Sequence, residues 1–330
     1  MIDPAAPPTS DPIAELLTTY NELNSSSLDE LAEIPSPLEF MRHVSRNRPF
    51  VVRGGASDWK ATRTWSVDVL KARMAGMSVN VAVTPKGNAD APLKSEDGGM
   101  LLVKPCEEEQ DFGQFMDYVI QQEGSGEMDG EVRYAQTQND NLRNEYSELF
   151  TDVEPSIPFA RIALQKAPEA INLWIGNSHS VTAMHKDNYE NIYVQIIGQK
   201  HFVLLPPLAY ACVNEKELSP ASYVRGAGGG ELVAQREDGD SVPFATWDPD
   251  GLGEGTRYSS LARPVRVSLG KGDMLYLPAL WQVPSYHKVS QSCEDGICCA
   301  VNYWHDIEFG GSFYPLCGFA RNVALNAMED

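Results

Sequence analysis

A histidine and an aspartate two positions apart, His185 and Asp187, are the residues whose types and spacing point most directly to chemistry. The stretch that leads into them, 180–184, has a composition typical of a β-strand. On a strand, residues two apart project from the same face. A neutral imidazole and a carboxylate on one face supply two ligands for a divalent metal, so the pair predicts a metal site.

His287 is the candidate for a third ligand. It follows the strand-like segment 272–278 and lies 100 residues after Asp187. Two histidines and one carboxylate form the facial triad of non-haem Fe(II) oxygenases, which leaves coordination positions open for substrate and oxygen. Short patterns of this kind also arise by chance, and a lone histidine is more often a surface or capping residue. The pattern alone therefore leaves a structural role open.

The elements that must position these residues change in character along the chain. Residues 1–10 are predicted to be disordered, and 11–125 to form an N-terminal, mostly helical region with Asp11 and Ser36 as helix caps. Helices are expected at 12–23, 37–44, 65–73 and 112–120, a short strand and a turn within 49–55, a further strand at 78–83, and a loop at 88–99.

The remainder of the chain, 126–330, is expected to be mainly β. Short apolar runs separated by Gly, Pro and Asn turns predict an antiparallel sandwich or barrel. The expected strands are 132–135, 170–175, 180–184, 191–196, 201–205, 265–269, 274–277 and 297–304. A Gly-rich, polar insertion around 223–263 is predicted to lie over the mouth of the barrel, and 313–327 to form a short terminal helix.

The charge of the chain limits its partners. Among 330 residues, Asp and Glu number 46 and Lys and Arg number 26, a formal net charge of −20. Nucleic-acid binding depends on neutralised phosphates, so no direct nucleic-acid contact is expected. Anionic membranes are disfavoured likewise, and no apolar run approaches the roughly 20 residues that span a bilayer. A basic protein partner would be attracted, although high net charge also serves solubility alone.

Cysteine usage and the N-terminal sequence bear on the compartment. The six cysteines, which form no CxxC pair, are Cys106, Cys212, Cys293, Cys298, Cys299 and Cys317. In a chain of this size they predict reduced thiols rather than a disulfide framework. Residues 1–11 lack the basic and apolar regions of a secretory signal. We therefore expect a cytoplasmic protein, with a nuclear location left open.

Six stretches between residues 130 and 306 form a recognisable set. They are Asn-Leu-Trp-Ile-Gly at 172–176, His-Lys-Asp-Asn-Tyr-Glu-Asn-Ile-Tyr at 185–193, Gly-Gln-Lys-His-Phe at 198–202, Pro-Pro at 206–207, Gly-Asp-Met-Leu-Tyr-Leu-Pro-Ala-Leu-Trp at 272–281 and Ala-Val-Asn-Tyr-Trp at 300–304. Together they resemble one known family, the Jumonji-C (JmjC) hydroxylases. Asn-Tyr-Glu-Asn at 188–191 and Leu-Tyr-Leu-Pro-Ala-Leu-Trp at 275–281 resemble the subgroup of small cytosolic (3S)-lysyl hydroxylases that act on translation-associated GTPases.

The resemblance implies a fold and a set of cofactors. The fold is a double-stranded β-helix, the cupin or jelly-roll fold of JmjC domains, here with an N-terminal mostly helical region and a short C-terminal helix. The implied metal is Fe(II), bound by His185, Asp187 and His287, and the implied cosubstrates are 2-oxoglutarate and O2.

The resemblance also assigns residues to the cosubstrate pocket. Lys200 matches a lysine that pairs with the distal carboxylate of 2-oxoglutarate, and Thr182 matches a hydroxyl that hydrogen-bonds the same group. Asn191 and Asn302 resemble amides near the iron, and Tyr134 resembles an aromatic at the inner end of the pocket. A buried dianion needs a cation and hydrogen-bond donors to offset its desolvation. Each of these residues has an ordinary alternative as a strand or core residue.

One departure from the subgroup precedes His287. The subgroup has one residue between Leu-Trp and the ligand histidine, whereas here five residues follow Trp281, of which 282–285 are extra. Three explanations stay open. The extra residues form a bulge that Pro284 would tolerate at a sheet edge, they displace His287 and disable the site, or they are an artefact of the gene model.

Several functions are weighed on these grounds. The leading one is a 2-oxoglutarate-dependent dioxygenase that hydroxylates a lysine of a protein substrate, such as a translation-associated GTPase. The second is a catalytically impaired JmjC scaffold that binds partners. A histone-directed demethylase or endopeptidase ranks lower, because the sequence has no zinc-finger spacing and no protease motif. A cupin-type isomerase is disfavoured because Lys200 and Thr182 suit a dicarboxylate. The oligomeric state is open, with a homodimer as one option.

Overall fold

The computed structural model describes residues 11–95, 97–125, 130–185, 188–250, 253–281 and 287–329, so the predicted disordered segment 1–10 lies outside it. The helices are α1 (Pro12–Leu23), α2 (Pro37–Arg46), α3 (Lys60–Thr64), α4 (Val67–Arg73), α5 (Phe112–Ser125), α6 (Ser147–Phe150), α7 (Pro158–Leu164) and α8 (Phe313–Glu329). Within the described ranges, no helix has both the length and the apolar character needed to cross a bilayer.

The strands outnumber the helices in this part of the chain. Those of the first half are β1 (Asp29–Leu31), β2 (Phe50–Val52), β3 (Ser78–Thr84), β4 (Ala91–Lys94), β5 (Met100–Lys104), β6 (Cys106–Asp111), β7 (Val132–Tyr134) and β8 (Ala170–Gly176). Those of the second half are β9 (Thr182–His185), β10 (Tyr189–Ile197), β11 (Gln199–Leu204), β12 (Glu215–Arg225), β13 (Leu232–Arg236), β14 (Val242–Ala245), β15 (Val265–Leu269), β16 (Met274–Leu277), β17 (His287–Ser292) and β18 (Cys298–Asp306).

Two sheets form the barrel. The larger has the strand order β1-β2-β16-β10-β18-β8 and the smaller has the order β15-β11-β17-β9. Their pairings are antiparallel, except that β1 and β2 are parallel. From β8 to β11, and again from β15 to β18, successive strands alternate between the two sheets. This winding is that of a double-stranded β-helix, which confirms the predicted mainly β, cupin-type fold.

The large sheet is covered on both faces. On its inner face, Trp174 and Tyr193 share a buried cluster with Phe202 of the small sheet. Because side chains alternate along a strand, Val194 and Val301 project from the outer face into a second cluster with the N-terminal helices. Burial of both faces explains the nearly continuous apolar sequences of β10 and β18.

The first two helices begin where the sequence predicts. Asp11 accepts hydrogen bonds from backbone amides of the first turn of α1, and Ser36 and Glu39 form a capping box at the start of α2. The buried Phe40 of α2 then packs against Tyr276 of the large sheet, with 4.7 Å between the ring centroids. The caps therefore fix a helix that covers the outer face of the barrel.

The N-terminal region contains more strand than the sequence predicts. The prediction of a loop at 88–99 is wrong in part, because β4 lies within it, and β5 and β6 were not predicted. Strand β6 reads Cys-Glu-Glu-Glu-Gln-Asp and lacks the β-branched residues that signal a strand. Its Glu108 is paired with Arg225 of β12 at 2.7 Å, a contact between distant parts of the chain that no local pattern reports.

The predicted insertion 223–263 contains regular structure. Strands β13 and β14 both pair with β12, and β12 pairs in parallel with β5 of the N-terminal region. Most residues of β13 are exposed, so its sequence lacks the alternation that marks a half-buried strand.

Gly198 makes the sharp turn that places Lys200 in the barrel. It is the single residue between β10 and β11, its φ is +71°, and a Cβ there would lie 2.5 Å from the backbone oxygen of Ser292. We expect Gly198→Ala to lower the free energy of unfolding by at least about 2 kcal/mol, because the left-handed conformation and the backbone contact both oppose a side chain. Urea denaturation measures this loss.

Gly124 provides the matched control for that substitution. It lies in α5, and a Cβ there would meet no atom within 4 Å. Gly124→Ala is therefore expected to leave stability unchanged or to raise it by up to about 1 kcal/mol. A loss in Gly124→Ala as large as that in Gly198→Ala would contradict the role of the turn.

Candidate active site

A cavity between the two sheets brings together side chains from both. It is lined by Tyr134, Gln138, Trp174, Thr182, His185, Asn191, Tyr193, Lys200, Phe202, Val289, Asn302 and Trp304. As these side chains stand, its volume is about 30 Å³. That is room for a water molecule, so a larger ligand requires the lining side chains to move apart.

Lys200 of β11 is a buried cation in this cavity. Its side chain belongs to a residue only 3% exposed, and Nζ donates a hydrogen bond to Tyr134 Oη at 2.8 Å. None of the carboxylates that the structure describes forms an ion pair with it. Burial acts to lower the pKa of Lys200, and the neighbouring Tyr134, Cys298 and Cys299 together raise it above its usual value, so the amine is protonated at neutral pH.

The Tyr134 ring packs closely against strand β8 at a position that has no side chain. A Cβ at Gly176 of β8 would lie 2.5 Å from Tyr134 Cδ2, so only glycine lets the ring approach this closely. Burial raises the pKa of Tyr134, so the group stays a phenol. Because its oxygen accepts from Lys200, the phenol proton can be donated to a ligand.

Several amide and indole groups point into the same space. Asn302 Oδ1 accepts hydrogen bonds from Trp174 Nε1 at 3.1 Å and from Asn172 Nδ2 at 3.3 Å. Asn191 Oδ1 and Trp304 Nε1 are buried and have no hydrogen-bond partner among the described residues. Because a buried polar atom left unpaired costs about 1–3 kcal/mol, a polar ligand that paired with these atoms would recover part of that cost.

Strand β9 carries both Thr182 and His185 into the cavity although they are three residues apart. The register against β17 shifts between the pairs His287–His185 and Val289–Thr182, so β9 has an extra residue at this point. Such a bulge re-aims side chains that simple alternation would place on opposite faces. The irregular strand therefore makes a second polar group available beside the histidine.

A backbone contact sets the tautomer of His185. Its Nδ1 lies 2.8 Å from the carbonyl oxygen of Ala183. A carbonyl only accepts, so Nδ1 carries the proton and donates it. Nε2 is then the nitrogen with the lone pair, as a metal-binding imidazole requires.

The predicted triad is only partly within the described structure. The backbone of His287 lies opposite His185 in the β17–β9 pairing, which puts the two histidines side by side along the sheet. Asp187, the side chain of His287 and the extra residues 282–285 lie outside the described residues. Within the described ranges, no three His, Cys, Asp or Glu side chains are grouped as a metal site. The triad therefore stays a prediction.

Comparisons with known proteins agree with this fold. Residues 35–311 match the cupin-like domain family. The chain is 37% identical over 278 residues to the human bifunctional peptidase and (3S)-lysyl hydroxylase JMJD7, which covers 83% of either chain. It is also 32% identical to the JmjC domain-containing protein E of Dictyostelium discoideum, over 85% of this chain and 84% of the relative. The chain belongs to the cupin-like JmjC family.

A plant relative has another printed activity. The lysine-specific demethylase JMJ32 of Arabidopsis thaliana is 33% identical over 90% of this chain and 87% of its own. Lysyl hydroxylation and demethylation are thus both named among similar JmjC proteins. The predicted family is confirmed, and the names of the relatives do not agree on one reaction.

The structure of this JmjC barrel brings six predicted site residues around one cavity: Tyr134, Thr182, His185, Asn191, Lys200 and Asn302. Their roles stay predictions. Sequence analysis missed the aromatic walls, among them Trp174 and Trp304. Each stands two positions from a buried asparagine on its strand, so alternation along β8 and β18 could have placed them on the inner face.

The start of β17 in this JmjC chain is tied to the insertion by ion pairs. Lys288 Nζ lies 3.2 Å from Asp248 Oδ2 and 3.0 Å from Asp250 Oδ2. Arg266 pairs with the other oxygen of Asp250 at 2.7 Å. Because Lys288 follows His287 directly, these pairs anchor the backbone that carries the predicted third ligand.

We expect Lys288→Met to lower the free energy of unfolding by about 1–3 kcal/mol, since it leaves the nearly buried Asp248 without its cation. Arg266→Met is the control within the same cluster. The Arg266 side chain is half-exposed, so its loss is expected to cost less than about 1 kcal/mol. Urea denaturation measures the free energy of unfolding of both variants. Equal losses of free energy would show that the ion pairs of Lys288 stabilise the protein no more than the surface pair of Arg266 does.

Proposed function

We propose that the protein is an Fe(II)- and 2-oxoglutarate-dependent oxygenase that hydroxylates a protein side chain. The observation that carries the proposal is the buried ammonium of Lys200, whose hydrogen-bond partner among the described residues is the neutral phenol of Tyr134. Burying a cation without an anion is costly. A dicarboxylate that enters this cavity would supply the anion.

The donors of the cavity suit one carboxylate of 2-oxoglutarate. Lys200 would form a charge-assisted hydrogen bond to it, and Tyr134 and Thr182 would donate their hydroxyl protons. Asn191 and Asn302 line the same cavity, and the Nδ2 groups of their side-chain amides can donate to the remaining oxygens. The cosubstrate would thus satisfy groups that the protein alone leaves without an anion.

The residues proposed to hold Fe(II) are His185, Asp187 and His287. The Ala183 carbonyl fixes His185 in the tautomer that presents Nε2, and the backbone register sets His287 beside it. When bound, Fe(II) with 2-oxoglutarate and O2 supplies an oxidant that hydroxylates a C–H bond, with succinate and CO2 as coproducts. The aromatic walls Trp174 and Phe202 exclude water from that chemistry.

The proposed substrate is a lysyl side chain of a protein, hydroxylated at C3. The human relative is named a (3S)-lysyl hydroxylase, and the net charge of −20 favours a basic target segment. We propose translation-associated GTPases as the first candidates, on the sequence resemblance. A cytoplasmic location and a homodimer stay predictions.

The test is turnover with and without a protein substrate. The purified protein is supplied with Fe(II), ascorbate, air and 2-oxoglutarate, and then with lysine-containing peptides from translation-associated GTPases. We expect succinate to form and one peptide to gain a single oxygen atom. Fragmentation of that peptide should place the oxygen on a lysine, and amino-acid analysis should place it on C3.

Other products would each replace the proposal. Loss of a methyl group from a methylated lysine peptide would indicate a demethylase, and shortened peptides would indicate a peptidase. A folded protein that neither binds 2-oxoglutarate nor forms succinate would indicate an impaired scaffold. Deleting residues 282–285 would then reveal their part, because recovered turnover would show that these residues disable the site.

A further inference from the structure

A second, larger cavity lies outside the barrel, against the outer face of the large sheet. Its volume is about 680 Å³. It is lined by residues of α2, of the end of α7 and the chain after it, of β10, of the chain after β16, and of the segment from β18 into α8. None of the residues assigned above to the oxygenase site lines it.

Glu190 presents a fixed carboxylate to this cavity. Tyr276 Oη donates a hydrogen bond to its Oε2 at 2.5 Å, and the Ala279 amide donates to the same oxygen at 3.2 Å. The other oxygen, Oε1, receives no hydrogen bond from the described residues. Burial raises the pKa of the Glu190 carboxyl, and a cation beside Oε1 would offset the burial.

The remaining lining combines acidic groups with apolar walls. Asp306 and Glu308 add two carboxylates, and Lys166, the basic residue of the lining, is paired with Glu308 at 3.5 Å. The walls include Val44 and Phe313. A long aliphatic stem that ends in a cation suits an apolar wall with a carboxylate at its end, which is the shape of a lysine or arginine side chain.

The cavity lies close to the oxygenase site. On β10, Asn191 lines the barrel cavity and its neighbour Glu190 lines the second one, from the opposite face of the strand. Tyr189 stacks on Trp304, which also lines the barrel cavity, with ring planes 4° apart. An extended chain advances about 3.4 Å per residue, so a bound peptide that passes the start of β10, where Glu190 and Asn191 are neighbours, would present side chains to both cavities within a few residues.

We propose that this cavity binds a lysine or arginine side chain of the protein substrate, a few residues from the side chain that enters the oxygenase site. The proposal rests on the proposed function for its substrate. It assigns a binding role to part of the net negative charge of the chain, namely the carboxylates that line this cavity. Glu190 would act as the recognition residue for the basic side chain.

The test measures peptide binding without turnover, by fluorescence anisotropy. The probe is a labelled nine-residue Gly-Ser peptide with two lysines four positions apart, and its partner carries acetyl-lysine at both. Glu190→Gln keeps an acceptor for Tyr276 and Ala279 but removes the charge. Val44→Trp fills the cavity. Glu217→Gln removes one charge from the exposed surface of β12 and serves as the matched control.

We expect Glu190→Gln and Val44→Trp each to weaken binding by about tenfold or more, the loss of one charge-assisted hydrogen bond. Glu217→Gln should change the affinity for the lysine peptide less than twofold. The acetylated peptide should bind more weakly than the lysine peptide to the wild type and to the Glu217→Gln control. An arginine version of the probe shows which basic side chain is preferred. Thermal unfolding checks that Glu190→Gln and Val44→Trp are folded. If one of them is not, the binding measured with the other still tests the proposal.

Three results would overturn the proposal. The two glutamate variants could weaken binding equally, which would mean attraction by net charge alone. The acetylated peptide could bind the wild type as well as the lysine peptide does. Val44→Trp could convert a dimer into a monomer without affecting the peptide, which would make a second copy the occupant. Peptide binding that depends on Glu190 in a protein without succinate formation would reject the oxygenase and keep the cavity.

Discussion

Lys200→Met is expected to weaken 2-oxoglutarate binding by about 100-fold while leaving the ligand-free protein at least as stable. Removing one partner of a buried charge pair costs about 2–5 kcal/mol, and 1.4 kcal/mol is a factor of ten. Titration calorimetry with Fe(II) under anaerobic conditions measures the affinity. Succinate formation at saturating iron should fall in parallel.

The stability of the same variant separates function from structure. In the ligand-free protein the Lys200 ammonium is buried beside the Tyr134 phenol, without an anion among the described residues. Methionine has a similar length and no charge to desolvate. If Lys200 had only a structural role, Lys200→Met would lower the free energy of unfolding of the protein. If Lys200 serves an anionic ligand, the variant should keep its stability and lose only its affinity for that ligand.

Two further variants control the result. Lys200→Arg keeps the charge, so it should recover part of the affinity while the larger guanidinium strains a cavity of about 30 Å³. Lys216→Met removes a lysine from an exposed position of β12 and should change neither affinity nor stability. Wild-type affinity in Lys200→Met would mean that this cation does not receive the carboxylate.

Most of the barrel was predictable because the sequence signals of its strands are local. These strands are short apolar runs that end at turns, and Gly198 marks the turn before β11. Strand β17, which reads His-Lys-Val-Ser-Gln-Ser, has no such run and was not predicted. The caps Asp11 and Ser36 likewise predict the starts of α1 and α2, which begin at the next residue. In these places propensity, patterning and tertiary packing agree, so the sequence alone suffices.

The elements that escaped prediction lack a local signal. Strand β5 pairs with β12, more than a hundred residues away, and β13 pairs with the neighbouring β12 but is mostly exposed, so it shows no alternation of apolar and polar residues. The bulge in β9 escaped too, because an extra residue in a ladder shows only in the register against β17. For the site, types and spacing predicted which polar residues to examine, but not that Gly176 leaves room for the Tyr134 ring.

The second large effect is expected at His185, which lines the same cavity as Lys200. His185→Ala should abolish succinate formation and weaken Fe(II) binding by at least about 100-fold, since even the groups that orient metal ligands contribute 10–100-fold. The residues around Lys200 stay in place, so the inner carboxylate site should persist. Lys200→Met should show the converse, with metal binding retained and cosubstrate binding lost.

His201→Ala is the matched control for that prediction. His201 lies next to Lys200 on β11, but its ring nitrogens lie 2.8 Å from the hydroxyls of Ser268 and Ser292 on the exposed side of the sheet. Its loss should leave metal binding unchanged. His287→Ala should fall with His185→Ala, because the register places the two residues opposite each other. If His287→Ala keeps its turnover, the third ligand is another residue, and the extra residues 282–285 have displaced His287 from the site.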